Sequence, residues 1–266
     1  MKQQRGYLCQ AYVLHTRAYR NSSLIVELFS RDFGRVTVVA KGAKQLRSPV
    51  RGLMQPFMPL LLSWTGKHEL MTLCSAENNG SPYYLSGLNL LSGLYLNELL
   101  LRTMQPADAY PNVYDHYVQV LQVLHAPRKC SNEQVLRSLR IFEKMLLSEL
   151  GYGLQLEYEA LSTEPIRDEL FYRFEPGTGF IKTDCQDQHN YLVVMGSSIN
   201  ELAQNSLSTM CALRDSKRIL RTALQTLLGN TPLKTRQLLE EMYIPIKPFN
   251  PNVDKNMSMY VVNNKA

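Results

Sequence analysis

The sequence predicts an α+β fold in which a small β-barrel precedes a mainly α-helical bundle domain. Short apolar runs rich in β-branched residues, each bounded by turn residues, fill the first part of the chain up to 79. A helical period replaces them from 84 onward. The 266 residues, of which 45% are hydrophobic, can bury the core of one large domain or of two ordinary ones.

Five strands are predicted in the N-terminal region 1–79, separated by turn segments such as RAYRNS and RDFG. So many strands in so short a region, with no helical period among them, are typical of a barrel of the OB type. The five strands are 7–15, 23–30, 35–40, 57–63 and 69–75.

Three helices are predicted to form a bundle over 80–150. The stretch 88–104 is apolar on most faces, as expected of a central helix that is covered on several sides. The stretches 110–124 and 133–150 each place their apolar residues on one stripe, and Gly151 ends the third helix.

The C-terminal part of the chain is predicted to contain a small subdomain, further helices and a tail. A hairpin is predicted within 171–181, where two β-prone arms flank the turn PGTG. The tail has no period that could pack, and we expect it to be flexible. The three parts are a hairpin subdomain at 151–197, helices at 198–244 that pack on the bundle (208–228 and 233–243), and the tail at 245–266.

The composition narrows the function classes. The net charge of +6 permits nucleic-acid binding without requiring it. The richest apolar run, 88–102, is too short and too interrupted by polar residues to span a bilayer, and no signal peptide opens the chain, so we expect a soluble cytosolic protein with no membrane contact. The five cysteines form no CxxC pair, which predicts reduced thiols and no metal site.

No catalytic constellation is present in the sequence, and we expect a protein that is not an enzyme and holds no cofactor. Phosphate-loop, GxSxG and HExxH motifs are all missing. Asp115 and His116 are sequence neighbours on a predicted helix and point apart. A hydrolase or nuclease site assembled from distant residues remains an alternative.

The stretch 34–57, GRVTVVAKGAKQLRSPVRGLMQPF, carries five cations between Arg35 and Arg51 and no acidic residue. One interpretation is a solvated face that discourages pairing between strand edges. The other is that Val36, Val38 and Val39 form a strand that holds the charges in a row facing a polyanion.

In an OB barrel, a basic groove holds phosphates while bases stack on aromatic faces. Tyr19, Phe57 and Trp64 are candidate stacking platforms. Core packing is favoured for Phe57, which lies in a predicted strand, whereas Tyr19 lies between two arginines in a predicted loop and both roles stay open. The candidate phosphate contacts are Arg17, Arg20, Arg35, Lys41, Lys44, Arg47 and Arg51.

A second basic face is predicted on the helix at 208–228. Its four cations follow the spacing i, i+3, i+4, i+7, which places them on one side of a helix. This face either is solvated opposite the apolar leucines or binds phosphates or the acidic segment of a partner. Its residues are Arg214, Lys217, Arg218 and Arg221, followed one turn later by Lys234 and Arg236.

Several motifs occur in one order over nearly the whole chain: AKGAK at 40–44, YLNELL at 95–100, RIFE at 140–143, LGYG at 150–153 and TPLKTRQLL at 231–239. In this combination the chain resembles the bacterial RecO recombination mediator family. The resemblance implies an OB domain, a helical bundle and a subdomain that holds a four-cysteine zinc module in many relatives. Only Cys185 lies within 151–190, so we expect no zinc here.

The resemblance also implies a function in DNA repair, as a recombination mediator at the nucleoid. Family members bind single- and double-stranded DNA without sequence preference, anneal complementary strands, and help RecR to load RecA on strands coated by single-strand-binding protein. They also dock the acidic C-terminal tail of that coating protein. An alternative is a protein-interaction adaptor whose basic barrel face is not a DNA site.

Residue by residue, the resemblance places the family's basic OB positions on Arg35, Lys41, Lys44, Arg47 and Arg51. For the tail contact, a terminal carboxylate favours an arginine fork beside an apolar pocket. The predicted tail site on the third helix comprises Arg137, Arg140 and Lys144.

Overall fold

The computed structural model describes residues 4–67, 69–126, 131–184, 191–229 and 231–243. Its N-terminal part is the predicted five-stranded barrel, closed in the order β1-β2-β3-β5-β4. Strands β3 and β5 pair in parallel, and antiparallel pairing of β1 with β4 closes the barrel. The strands are β1 Gln4–Tyr19, β2 Ser23–Ser30, β3 Gly34–Ala40, β4 Leu60–Gly66 and β5 Leu70–Asn78.

The barrel interior is filled by alternate residues of its strands, as the period of two requires. Val36 and Val38 of β3 belong to the same buried cluster as Trp64, which is 1% exposed. Gly6 lies against the Trp64 indole, and a Cβ at Gly6 would approach ring atoms to 2.5 Å. The large Trp64 side chain therefore fits the barrel only because β1 has a glycine there.

The predicted three-helix bundle is confirmed, with each helix boundary within one residue of its prediction. A capping box between Ser131 and Gln134 fixes the start of the third helix. The helices are α1 Gly87–Thr103, α2 Pro111–His125 and α3 Asn132–Glu149.

The C-terminal part contains the predicted hairpin and two elements that the sequence pattern did not predict. Strand β8 joins the hairpin by pairing with β6, and the short helix α4 follows directly. The predicted tail at 245–266 lies outside the described residues. The elements are β6 Phe171–Glu175, β7 Gly179–Thr183, β8 Leu192–Met195, α4 Gly196–Ala203, α5 Met210–Leu228 and α6 Lys234–Tyr243.

A buried carboxylate organises the subdomain before the hairpin. Glu159 accepts backbone hydrogen bonds from Leu161, Ser162 and Lys182, which ties its loop to β7. Burial would raise the pKa of Glu159, but these hydrogen bonds outweigh it and lower the pKa. Cys185, the single cysteine of this region, lies outside the described residues.

The barrel and the helices share one hydrophobic core. Tyr12 and Phe29 from the barrel pack their rings against Tyr114 and Tyr117 of α2, with centroids 5.4 to 5.8 Å apart. Asn97 of α1 lies in the same core. The barrel is therefore held to the helices by buried contacts and not by a flexible linker alone.

The turn between β2 and β3 clamps the barrel to the helices at one end. Arg31 makes a two-pronged ion pair with Asp115 of α2, at 3.0 and 2.9 Å. Gly34 has a φ of +64°, and a Cβ there would lie 1.7 Å from the carbonyl oxygen of Asp108. Arg35 donates from Nη1 to the Leu101 carbonyl of α1 at 2.8 Å. The β2–β3 end of the barrel thus faces the helical domain.

Candidate nucleic-acid interface

Six exposed cations lie on two segments that meet at the end of β2 and β3 opposite the helical clamp. The β1–β2 hairpin supplies one segment, and the loop after β3 supplies the other, because Leu24 of β2 pairs with Ala40, the last residue of β3. We call this surface the basic rim. Its residues are Arg17, Arg20, Lys41, Lys44, Arg47 and Arg51, all exposed.

A backbone hydrogen bond joins the two segments of the basic rim. The Lys44 amide donates to the Ser22 carbonyl of the hairpin at 2.9 Å. Gly42 adopts a φ of +70°, which lets the chain turn sharply after β3, and the Gln45 amide closes that turn on the Gly42 carbonyl at 3.0 Å. The loop after β3 is therefore fixed beside the hairpin.

The two segments of the basic rim contain no acidic residue. In the first 51 residues only Glu27 and Asp32 are acidic. Asp32 lies in the β2–β3 turn, at the opposite end of those strands. Glu27 lies along β2 and accepts a hydrogen bond from Thr37 at 2.9 Å. The rim is thus a concentrated positive surface, of the kind that attracts a polyanion.

Arg35 does not lie with the other predicted phosphate contacts on the basic rim. Arg35 begins β3 at the clamped end, where its guanidinium bonds the Leu101 carbonyl and is partly buried. The sequence places Arg35 in one run with the other cations, but β3 carries it to the far end of the barrel. Its guanidinium donates to a carbonyl in the last turn of α1, a group that has no partner within the helix.

The three candidate stacking platforms differ in exposure. Phe57 is 5% exposed and Trp64 is 1% exposed, so both are core residues and neither is a stacking platform. Tyr19 is half-buried, and the Arg20 guanidinium carbon lies 5.2 Å from its ring centroid. This cation–π contact leaves Tyr19 as the aromatic side chain that accompanies the rim charges.

One rim side chain was missed by the sequence reasoning. Leu46 lies in the loop after β3, between Lys44 and Arg47, and is 87% exposed. The position of an apolar residue within a basic loop could have identified Leu46 from the sequence. Ala43 and Met54, which precede and follow Leu46 in the same loop, are buried in the barrel core at 0% and 4% exposure, so Leu46 is directed outward from an anchored loop.

The second basic face lies on α5, with Arg214, Lys217, Arg218 and Arg221 exposed on one side. Part of its charge is neutralised by the buried Asp215, which lies 3.6 Å from Arg214 and 3.5 Å from Arg218. On α6, Lys234 is exposed and Arg236 is half-buried. This face is consequently less positive than its count of cations indicates.

In the predicted tail site, Arg140 is buried and Arg137 is partly buried. Arg140 pairs with Glu143 at 2.9 Å, and Glu143 also accepts from the Tyr95 hydroxyl at 2.6 Å. Arg137 donates from Nε to the Leu207 carbonyl at 3.1 Å. The prediction that the Arg140 guanidinium binds the terminal carboxylate of a partner tail is corrected, because this guanidinium already binds the Glu143 carboxylate inside the bundle.

Lys144 is one of the residues that line a groove. Its Nζ donates to the Leu202 and Ala203 carbonyls at the end of α4, and burial lowers its pKa. The groove has a volume of about 440 Å³ and runs between α3 and the segment that follows it. Its apolar lining includes Ile141, Met145, Leu154 and Leu156, and its charged lining comprises Lys144, Glu149 and Glu157, beside His116.

Within the described ranges, no three His, Cys, Asp or Glu side chains are grouped so that they could hold a metal ion. In the same part of the chain, no helix is both long enough and apolar enough to cross a membrane.

The chain matches two family models that together cover most of its length. Residues 1–81 match the model described as recombination protein O N terminal. Residues 85–237 match the model described as recombination protein O C terminal. The break between the two models falls between the barrel and α1.

Curated relatives match over nearly their whole length. The DNA repair protein RecO of Coxiella burnetii (strain CbuG_Q212) is 41% identical over 229 residues, which are 86% of this chain and 96% of the relative. That of Nitrosococcus oceani is 42% identical over 241 residues, 90% and 94% respectively. That of Proteus mirabilis is 39% identical over 235 residues, 88% and 93%. With both halves matched in order, the chain belongs to the recombination protein O (RecO) family.

Proposed function

We propose that this protein is a recombination mediator in DNA repair that binds single- and double-stranded DNA through the basic rim. The observation that carries the proposal is the meeting of two cationic segments, joined by the Lys44–Ser22 hydrogen bond, on the barrel end that faces away from the helices. Phosphate contacts from lysine and arginine position a strand without reading its bases. Binding is therefore strong at low salt and has little sequence preference.

Strand annealing follows from the same electrostatics. Two complementary strands repel each other through their phosphates, and cations on the rim neutralise part of that charge. Because the rim contacts phosphates, the base edges stay free to pair. The protein then acts by binding and not by making or breaking bonds, so DNA incubated with it and Mg²⁺ stays intact on a denaturing gel.

The test is a salt series of single-stranded DNA binding, followed by fluorescence anisotropy. The wild type is compared with a Lys41→Glu/Lys44→Glu/Arg47→Glu variant. Each lost phosphate contact reduces the slope of log affinity against log salt by about 0.7 for a single strand, so the triple variant loses about 2 in slope.

A charge-matched control carries three reversals elsewhere: Lys67→Glu, Arg167→Glu and Lys182→Glu, all at exposed positions outside the rim. We expect this control to keep most of the wild-type slope. Equal slopes for the rim variant and the wild type would contradict the DNA site. They would favour the protein-interaction adaptor, or DNA binding on the α5 face.

We further propose that the groove beside Lys144 docks the C-terminal tail of single-strand-binding protein. The resemblance supplies the partner, and the groove supplies an apolar lining together with the cation Lys144. In Met145→Glu, an added charge in the lining should weaken binding of a labelled tail peptide at least about tenfold. Arg140→Ala should bind the peptide like the wild type if it folds, since Arg140 is buried. Unchanged affinity in Met145→Glu would contradict this docking site.

The family resemblance also leads us to propose RecR as a direct partner and RecA as the recombinase that is loaded as a result. A pull-down of RecR by the wild-type protein tests the first contact. RecA filament formation on strands coated by single-strand-binding protein, with and without this protein, tests the second.

A further inference from the structure

Leu46 has the most exposed large apolar side chain among the described residues, at 87%. Its nearest competitors in the barrel are Tyr7 at 81% and Leu70 at 41%, and neither adjoins a cation in the sequence. A single exposed leucine needs no explanation by itself. The position of Leu46 within the basic rim is the feature that calls for one.

The loop that carries Leu46 is held on both sides. Before it, Ala43 is buried in the barrel core and the Lys44 amide bonds Ser22. After it, the Ser48 amide bonds the Gln45 carbonyl at 3.1 Å, which closes a turn around Leu46 and Arg47. Leu46 is therefore presented at the apex of a turn whose shape is set before any ligand arrives, which reduces the entropy lost on binding.

The charges around Leu46 decide what can cover it. Lys44 and Arg47 flank it, and both are exposed. A partner that buries Leu46 must also accept these two cations, so it must combine anionic groups with apolar faces at short spacing. A single strand of DNA does so, because its phosphates alternate with flat bases. In duplex DNA, minor-groove proteins insert leucine between base steps.

We propose that Leu46 inserts between two adjacent bases of a single strand whose phosphates lie on Lys44 and Arg47. This inference rests on the proposed DNA-binding function of the basic rim. Insertion removes the leucine methyl groups from water and separates one base step. The separated bases present their pairing edges without having to unstack first, which favours encounter with a complementary strand.

The experiment uses a single-stranded oligonucleotide that contains 2-aminopurine, whose fluorescence rises when it is unstacked. Four full-length proteins are compared: wild type, Leu46→Ala, Leu46→Met, and Leu70→Ala as a control for an exposed barrel leucine away from the rim. Wild type, Leu46→Met and Leu70→Ala should raise the fluorescence at saturation, and Leu46→Ala should not. Leu46→Ala should also bind about fivefold more weakly, the scale of losing part of one leucine burial.

The salt slope separates failure of this inference from failure of the proposed function. Leu46→Ala keeps every phosphate contact, so its slope should equal that of the wild type. Salt-dependent binding with equal fluorescence for Leu46→Ala and wild type would overturn the insertion and leave the DNA site standing. Absence of salt-dependent binding by the wild type would overturn both. Loss of self-association in Leu46→Ala, with unchanged fluorescence, would assign Leu46 to contact between copies and overturn the insertion.

Discussion

The side-chain amide of Asn97 on α1 donates a hydrogen bond to the backbone carbonyl of Leu14 on β1, 3.1 Å away and fully inside the core. The Tyr117 hydroxyl donates to the other end of the amide at 2.7 Å.

Asn97→Ala leaves both groups buried and unpaired, and we expect a loss of about 3 kcal/mol in the free energy of unfolding. Urea unfolding measures it. The control Asn89→Ala, which removes one part-buried bond to Leu124, should cost about 1 kcal/mol; equal losses would contradict a special role for Asn97.

Substitution of Arg35 should affect stability and not DNA binding, whereas substitution of Arg51 should affect DNA binding and not stability. Arg35→Met removes the bond to the Leu101 carbonyl, so we expect a loss of about 1 kcal/mol in stability and an unchanged DNA salt slope. Arg51→Met removes an exposed rim cation, so stability should hold while the slope falls by about 0.7. Urea unfolding and anisotropy on the same two proteins test this. A reduced slope in Arg35→Met would return Arg35 to the DNA site.

Removing one partner of the buried Arg140–Glu143 pair should destabilise the fold strongly, whereas replacing both partners by apolar residues should destabilise it little. Glu143→Ala leaves the Arg140 charge and the Tyr95 hydroxyl without their acceptor, and we expect a loss of about 3 to 5 kcal/mol. The double variant Arg140→Met/Glu143→Leu should recover most of that loss, because no buried charge remains. Removing the more exposed partner of Arg173 by Glu175→Ala should cost less than about 1 kcal/mol. Thermal and urea unfolding would contradict this view if the double variant were no better than Glu143→Ala.

Gly34 should not tolerate a side chain. Gly34→Ala combines a positive φ with a Cβ that would overlap the Asp108 carbonyl, and we expect a loss of about 3 kcal/mol or more. Gly177→Ala in the β6–β7 turn also has a positive φ, but its Cβ would meet nothing within 4 Å, so it should cost about 1 kcal/mol. The difference between the two in urea unfolding measures the approach of the β2–β3 turn to the helical domain, and similar losses would argue against that approach.

Acid should destabilise the fold through three carboxylates. Burial tends to raise the pKa of Glu98, Glu159 and Glu201, but hydrogen bonds from neighbouring amides and hydroxyls outweigh it, so each pKa is lowered from 4.5. The unfolded chain then binds more protons than the folded one, so this stability is present above about pH 4.5 and is lost as the pH falls through the folded values.

Urea unfolding from about pH 6 to about pH 3 should show this loss, and Glu159→Gln should make the dependence shallower. A dependence that is identical in Glu159→Gln and the wild type would remove Glu159 from this account.

Much of the fold could be predicted because the patterns are local. The bounds of β2 coincide with its prediction, since turn residues flank a short run of mainly apolar residues. Strand β4 begins three residues later than predicted, because Phe57 has a φ of +64° and Pro59 follows before the chain becomes extended. The run of apolar residues in the sequence did not indicate that turn.

The candidate site was predictable in composition but not in orientation. An exposed arginine and a buried one look the same in a sequence, and only the packing of β3 on α1 distinguishes Arg35 from Arg47. Arg140 could have been suspected, since Glu143 follows it at a spacing of three on one helix. Nothing local connects Lys44 with Ser22, because their contact depends on how β2 and β3 pair.

The core that the barrel shares with the helices has a consequence for chimeric proteins. Tyr12 and Phe29 face outward from the barrel but inward for the whole chain, against Tyr114 and Tyr117. If the barrel alone were replaced by that of a relative, the relative's aromatic side chains would pack against a helical surface that complements Tyr12 and Phe29 instead. Hybrids should therefore be cut so that the outer face of the barrel and the inner face of α2 are inherited from the same parent.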